Sequence, residues 1–158
     1  MFRLSNKSKS LGLLVFLGLL IEAAIPTAPQ LNSISVLAHQ VEVSGDVAAT
    51  FHLEPNHNPR AGQSARVWFA LTRRGGKIIP LEQCNCKLAV YPTKERQEGD
   101  KPLMQPPLKA ISAEKYQGIP GADIVFPKAG IYQLYLSGTA KKQANFQPFK
   151  LSYTVTVR

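Results

Sequence analysis

Three histidines and two cysteines carry the side chains in this 158-residue chain best suited to metal or redox chemistry: His39, His52, His57, Cys84 and Cys86. A histidine at a free amino terminus offers its α-amine and ring Nδ1 as a six-membered chelate. The α-amine, with a reference pKa near ~8, is open to a metal at neutral pH. A second imidazole completes a T-shaped nitrogen set of the kind Cu(II) takes in tetragonal geometry. His39, His52 and His57 are therefore the candidate metal ligands, and copper the candidate cofactor. The pair in Cys84-Asn85-Cys86 has three readings, in order: buried core thiols, a local disulfide, or two thiolates for soft Cu(I). On a strand the two Cα atoms would stand nearly ~7 Å apart, beyond comfortable disulfide reach, so a disulfide needs a kink there.

The chelate requires His39 to become a terminus, and the first residues predict that it does. Met1 to Ser10 carries Arg3, Lys7 and Lys9 without an acid, and Leu11 to Ile21 is an unbroken apolar run ended by Glu22. Eleven residues make about 16 Å of helix, against a hydrocarbon core of ~30 Å. This is the pattern of a cleaved signal peptide, with no stable membrane span left after cleavage. Val36-Leu37-Ala38 suits a peptidase, so residues 1–38 are expected to leave and 39–158 to form the mature domain. A cut after Ala23 is the alternative. The mature protein is expected in the periplasm or outside the cell.

The elements that would hold these side chains are strands. Phe149, Leu151, Tyr153, Val155 and Val157 alternate with polar residues, which gives one buried and one wet face. The same period runs through Tyr132, Leu134 and Leu136, through Ala49, Phe51 and Leu53, through Val67, Phe69 and Leu71, and through Cys84, Cys86, Leu88 and Val90. Shorter candidates are Gln40–Val43, Leu108–Ile111 and Asp123–Phe126. Arg73-Arg74-Gly75-Gly76 reads as a tight hairpin turn. Seven or eight short strands punctuated by Pro and Gly predict an all-β, immunoglobulin-like antiparallel β-sandwich. Phe51, Phe69, Leu88, Leu134, Tyr153 and Val155 are its expected core. Pro92 to Pro107 reads as a long polar loop. Trp68 stands on the face opposite Val67 and Phe69, where packing is the more frequent role and a binding surface the other. His52 shares a face with Glu54. If Val43 pairs with Ala48, His39 falls opposite His52.

Two stretches carry a resemblance. Asn56-His57-Asn58-Pro59-Arg60-Ala61-Gly62, followed by the strand at Val67, and Phe126-Pro127-Lys128-Ala129-Gly130-Ile131-Tyr132-Gln133-Leu134 resemble exported YtkA-like domains. The resemblance implies a sandwich and export. It also points to copper-handling sandwiches similar to the CopC family, whose mature chains begin with a metal-binding histidine. The chain departs from that family in lacking a methionine-rich stretch, with Met104 alone after the signal.

Without Arg3, Lys7, Lys9 and Glu22 the net charge of +9 falls to +7. An acidic partner is one reading of that balance and solubility the better one, since the basic residues are scattered and only Arg73-Arg74 and Lys141-Lys142 adjoin after the signal. No nucleic-acid motif, phosphate loop, nucleophile elbow or zinc-protease helix is present, and no carboxylate pair stands out for acid–base work. A binding domain rather than an enzyme is expected. It would hold or pass copper; the alternative is a metal-free structural or protein-interaction sandwich of the cell envelope. A histidine-brace oxidative enzyme is the more remote option.

Overall fold

The computed structural model describes residues 40–92 and 99–158. Segment 1–38 and His39 lie outside the described residues. The alternating stretches become nine strands among the described residues: β1 Gln40–Ser44, β2 Val47–Glu54, β3 Ser64–Arg73, β4 Lys77–Ile78, β5 Lys87–Pro92, β6 Lys109–Ala113, β7 Tyr116–Val125, β8 Gly130–Gly138 and β9 Phe149–Val157. One sheet runs β1-β2-β3-β7-β6 with β4 attached to β3; the other runs β5-β8-β9. Every pairing is antiparallel. The order β2-β3-β7-β6 over β5-β8-β9 is the four-on-three arrangement of an immunoglobulin constant-type sandwich. β1 is added outside it.

Periodicity and packing agree in this fold. β9 alternates buried and exposed along its full length, and β2 does the same with a half-buried outer face. All six expected core residues are buried in the main cluster between the sheets. Phe51 stacks on Tyr153 with centroids 4.7 Å apart, and Phe69 lies 5.6 Å from the same ring. The Tyr153 hydroxyl donates to the Ala49 carbonyl at 3.1 Å, joining the two sheets through the core. Tyr132, at the start of β8, donates to the Lys128 carbonyl at 2.8 Å. That back-bond is the tyrosine corner of such sandwiches, and it fixes the turn into the strand.

β3 departs from simple alternation. Val67 to Leu71 is buried on both faces, because residues of β4, β6 and β7 close over its outer side. Trp68, Ala70 and Ile119 form this second small core, with Ile78, Ile111 and Tyr116 packed against it. Gly121 permits the closure: a Cβ there would sit 2.5 Å from Ile111 Cδ1. Trp68 thus takes the packing role. β7 is longer than the expected Asp123–Phe126. Gly118, Pro120 and Gly121 look like breakers in sequence but lie within a strand held by neighbours on both sides.

The cysteines require a correction. Cys84 and Cys86 form a disulfide, so the reading as core thiols is overturned, and with it the thiolate pair for Cu(I). The reason is local. β5 begins at Lys87, and the cysteines lie between it and a short 3₁₀ segment, Leu81–Gln83, whose Leu81 carbonyl accepts the Cys84 N–H at 3.1 Å. The kink brings the Cα atoms to 5.1 Å, within disulfide range. Gly138 makes room for the bridge, since a Cβ there would lie 2.6 Å from Cys84 Sγ. Of the expected loop 92–107, residues 93–98 lie outside the described residues. Its later part is tied down by the Val90–Met104 bridge, with the Val90 N–H donating to Met104 O at 2.9 Å.

Candidate functional site

The β1–β2 hairpin sets the register on which the histidine reading depends. Gly45, with φ 62°, opens a two-residue turn. Val43 then pairs with Ala48, and Gln40 with Phe51. This is the register that the reading required. His52 lies one residue beyond Phe51 on β2, with its side chain on the outer face, since Phe51 and Leu53 point inward.

His52 and His57 come together at this corner. β2 ends at Glu54, and the chain turns through a cis Glu54–Pro55 bond into Asn56 and His57, both left-handed with φ 51° and 53°. Asparagine and histidine are both among the non-glycine residues enriched in that region. The His57 N–H donates to the Leu53 carbonyl at 2.8 Å. The turn returns the His57 ring to within 4.6 Å of the His52 ring, edge to face at 67°. His57 also meets Phe51 edge-on at 5.9 Å, so its ring spans the rim between outer face and core.

Trp68 is the floor of the site. It is the cross-strand partner of His52 in the β2–β3 ladder, and their rings stack at 4.6 Å and 12°. Trp68 is 1% exposed, so its position is set by the second core and His52 is laid on a fixed plate. Its indole N–H donates to Glu54 Oε1 at 3.2 Å, which draws the carboxylate to the same face. Tyr116 stands on the far side of the indole, with centroids 6.2 Å apart. Both histidines are half-buried, so His52 is less accessible than strand alternation alone suggested.

The corner therefore brings two imidazoles together, with His52 and the Glu54 carboxylate held on the Trp68 indole. Two imidazole nitrogens belong to the donor set of Cu(II), and a tetragonal site takes further nitrogen or oxygen donors beside them. Among the described residues, no group of three or more His, Cys, Asp or Glu is arranged to hold a metal ion. Sequence reasoning placed Glu54 beside His52 but did not see that Trp68 binds it. The pairing of position 52 with 68 would have shown that, and it is a long-range contact. Also among the described residues, no helix is long and apolar enough to cross a membrane.

Fold and site together define an all-β sandwich of immunoglobulin type with a histidine-bearing corner. No protein-family model matches the chain, and no curated protein does. A solved DUF4426 family protein from Pseudomonas aeruginosa superimposes with a TM-score of 0.46 at 11% identity, over 75% of this chain and 97% of that one.

Proposed function

We propose that the chain is an exported binding domain that holds or passes copper, with His39, His52 and His57 as the nitrogen donors. The observation that carries this reading is the 4.6 Å approach of the His52 and His57 rings at the corner where β1 begins. Gln40, the first residue of β1, pairs with Phe51, the neighbour of His52 on β2. Removal of residues 1–38 would leave His39 with a free α-amine, whose chelate supplies two nitrogens, and His52 or His57 would supply another. The YtkA-like and CopC-like resemblance of the sequence supports the same reading.

A second reading has its own observation. The His52 stack on Trp68 and the His57 contact with Phe51 are packing interactions, which suit a metal-free structural or protein-interaction sandwich. Copper titration separates the two. The protein with His39 as its first residue should bind one Cu(II) with a nitrogen-rich tetragonal resonance signal, and the ion should quench the fluorescence of Trp68, the chain's one tryptophan. Binding should weaken as pH falls, because protons compete for the same nitrogens. A single residue added before His39 should cost most of the affinity. Equal binding by the extended and native termini would remove His39 from the site. No binding by either would leave the metal-free reading.

A further inference from the structure

We propose that the opposite end of the sandwich binds a flexible, linear phosphate-bearing polyanion. The two adjacent basic pairs, far apart in sequence, are brought to this one end. Arg73 closes β3 and Arg74 opens the turn to Lys77 on β4; Lys141 and Lys142 lie in the loop between β8 and β9. Arg73 Nη1 donates to the Asn145 carbonyl at 2.7 Å, and the Lys141 N–H donates to Gln83 O at 3.0 Å, so the two loops are fastened to each other and to the 3₁₀ segment. Between them lies a groove of about 120 Å³ whose polar wall is Arg73, Lys77, Gln83, Gln143 and Asn145.

The chemistry of that wall selects an oxyanion. A guanidinium presents five N–H donors in a planar fork that matches phosphate geometry. The Asn145 carbonyl takes one of them, which restrains the fork beside the groove. Lys77 supplies a second charge, and the amides of Gln83, Gln143 and Asn145 add donors. Outside the groove, Arg74, Lys141 and Lys142 are exposed, placed to meet neighbouring charges of the same chain. The nearby carboxylates are Asp46, which accepts the Gln147 N–H at 2.8 Å, and Glu82. The cations therefore outnumber the acids.

Other polyanions fit less well. A lipid surface calls for apolar side chains to insert, yet the exposed large hydrophobics Val41, Val43, Leu103, Val125 and Ile131 all lie off these loops. Single-stranded nucleic acid calls for exposed aromatic platforms, and the aromatic at this groove, Phe146, is buried. The site lies away from the histidine corner. Trp68 and Arg73 are five residues apart on β3, about 17 Å along the strand.

Calorimetry at low ionic strength with long-chain inorganic polyphosphate and the protein produced from the full chain tests this. Polyphosphate should bind, with affinity falling steeply as salt rises. Arg74→Glu with Lys142→Glu should weaken it by roughly tenfold or more, whereas Lys101→Glu with Lys128→Glu, the same charge change elsewhere, should leave it within about twofold. Should the reversal fail to fold, Lys141→Gln with Lys142→Gln asks the same question with neutral side chains. Equal losses from both reversals would reduce the effect to net charge and overturn the site. Absence of polyphosphate binding would overturn it too, as would tighter groove-dependent binding to phosphatidylglycerol vesicles or duplex DNA.

Discussion

The two ends of this sandwich position their polar side chains by different means. At the histidine corner, rings are laid on rings: His52 on Trp68, and His57 against His52 and Phe51. At the basic end, side chains and loops are tied through backbone carbonyls, as Arg73 is to Asn145. Packing on a buried indole couples the geometry of the first end to the stability of the fold. Tethers between exposed turns leave the second end open to charge substitution at little structural cost. A binding corner and a charged groove can thus change independently on one scaffold.

The largest expected effect breaks the comparison at its firmer end. Trp68→Ala should cost about 3–5 kcal/mol in denaturant unfolding, as large-to-small core changes do, and should release His52 from its plate. A loss well under ~1 kcal/mol would mean that packing does not hold the corner. Joint replacement of Cys84 and Cys86 by serine should cost less, about 1–2 kcal/mol, because the loop they close is short and little chain entropy is removed. The change should loosen the basic end, since Asn85 and Lys141 hydrogen-bond across that turn, and leave the histidine rings in place.

Tyr153 lies in the core between the sheets and offers a pH test. Burial first, and the charge of Glu42 second, raise its phenol well above the ordinary 10.0. The folded protein then keeps a proton that the unfolded chain loses above pH 10, so this contribution is complete below pH 10 and declines as pH rises past it. Tyr153→Phe should remove that alkaline decline and cost about 1 kcal/mol at neutral pH through the lost bond to Ala49. A variant with an unchanged alkaline profile would assign the decline to other groups. The smallest effect is expected at the exposed turn: Arg74→Ala should shift unfolding by no more than about 0.5 kcal/mol. A larger shift would show that the basic end, too, contributes to holding the fold.

Strands whose two faces differ were readable from residue types. Period-two alternation placed β9, β8 and β2, because one face meets the core and the other meets water. Gly75-Gly76, both at positive φ, marked the β3–β4 hairpin. β7 was only half visible, since a glycine or proline in a strand is tolerated or not according to its neighbours. Cys84 and Cys86 were misplaced for a related reason: alternation extended β5 backward through them, while the 3₁₀ turn had already bent the chain. The register at Val43 and Ala48 was one of the pairings open to the sequence, and the two-residue turn at Gly45 selected it.

The sequence by itself determined the all-β sandwich and its inward residues, since both follow from local periodicity, and it left the hairpin register open. Tertiary structure decided what those elements bring together. His52 meets Trp68 across a ladder sixteen residues apart in sequence, and Arg73 reaches Asn145 across seventy-two. Such contacts depend on sheet order and on how β4, β6 and β7 close over β3. Neither is written in the alternation of any single strand, because alternation tells a residue which face it occupies but not what will lie on that face.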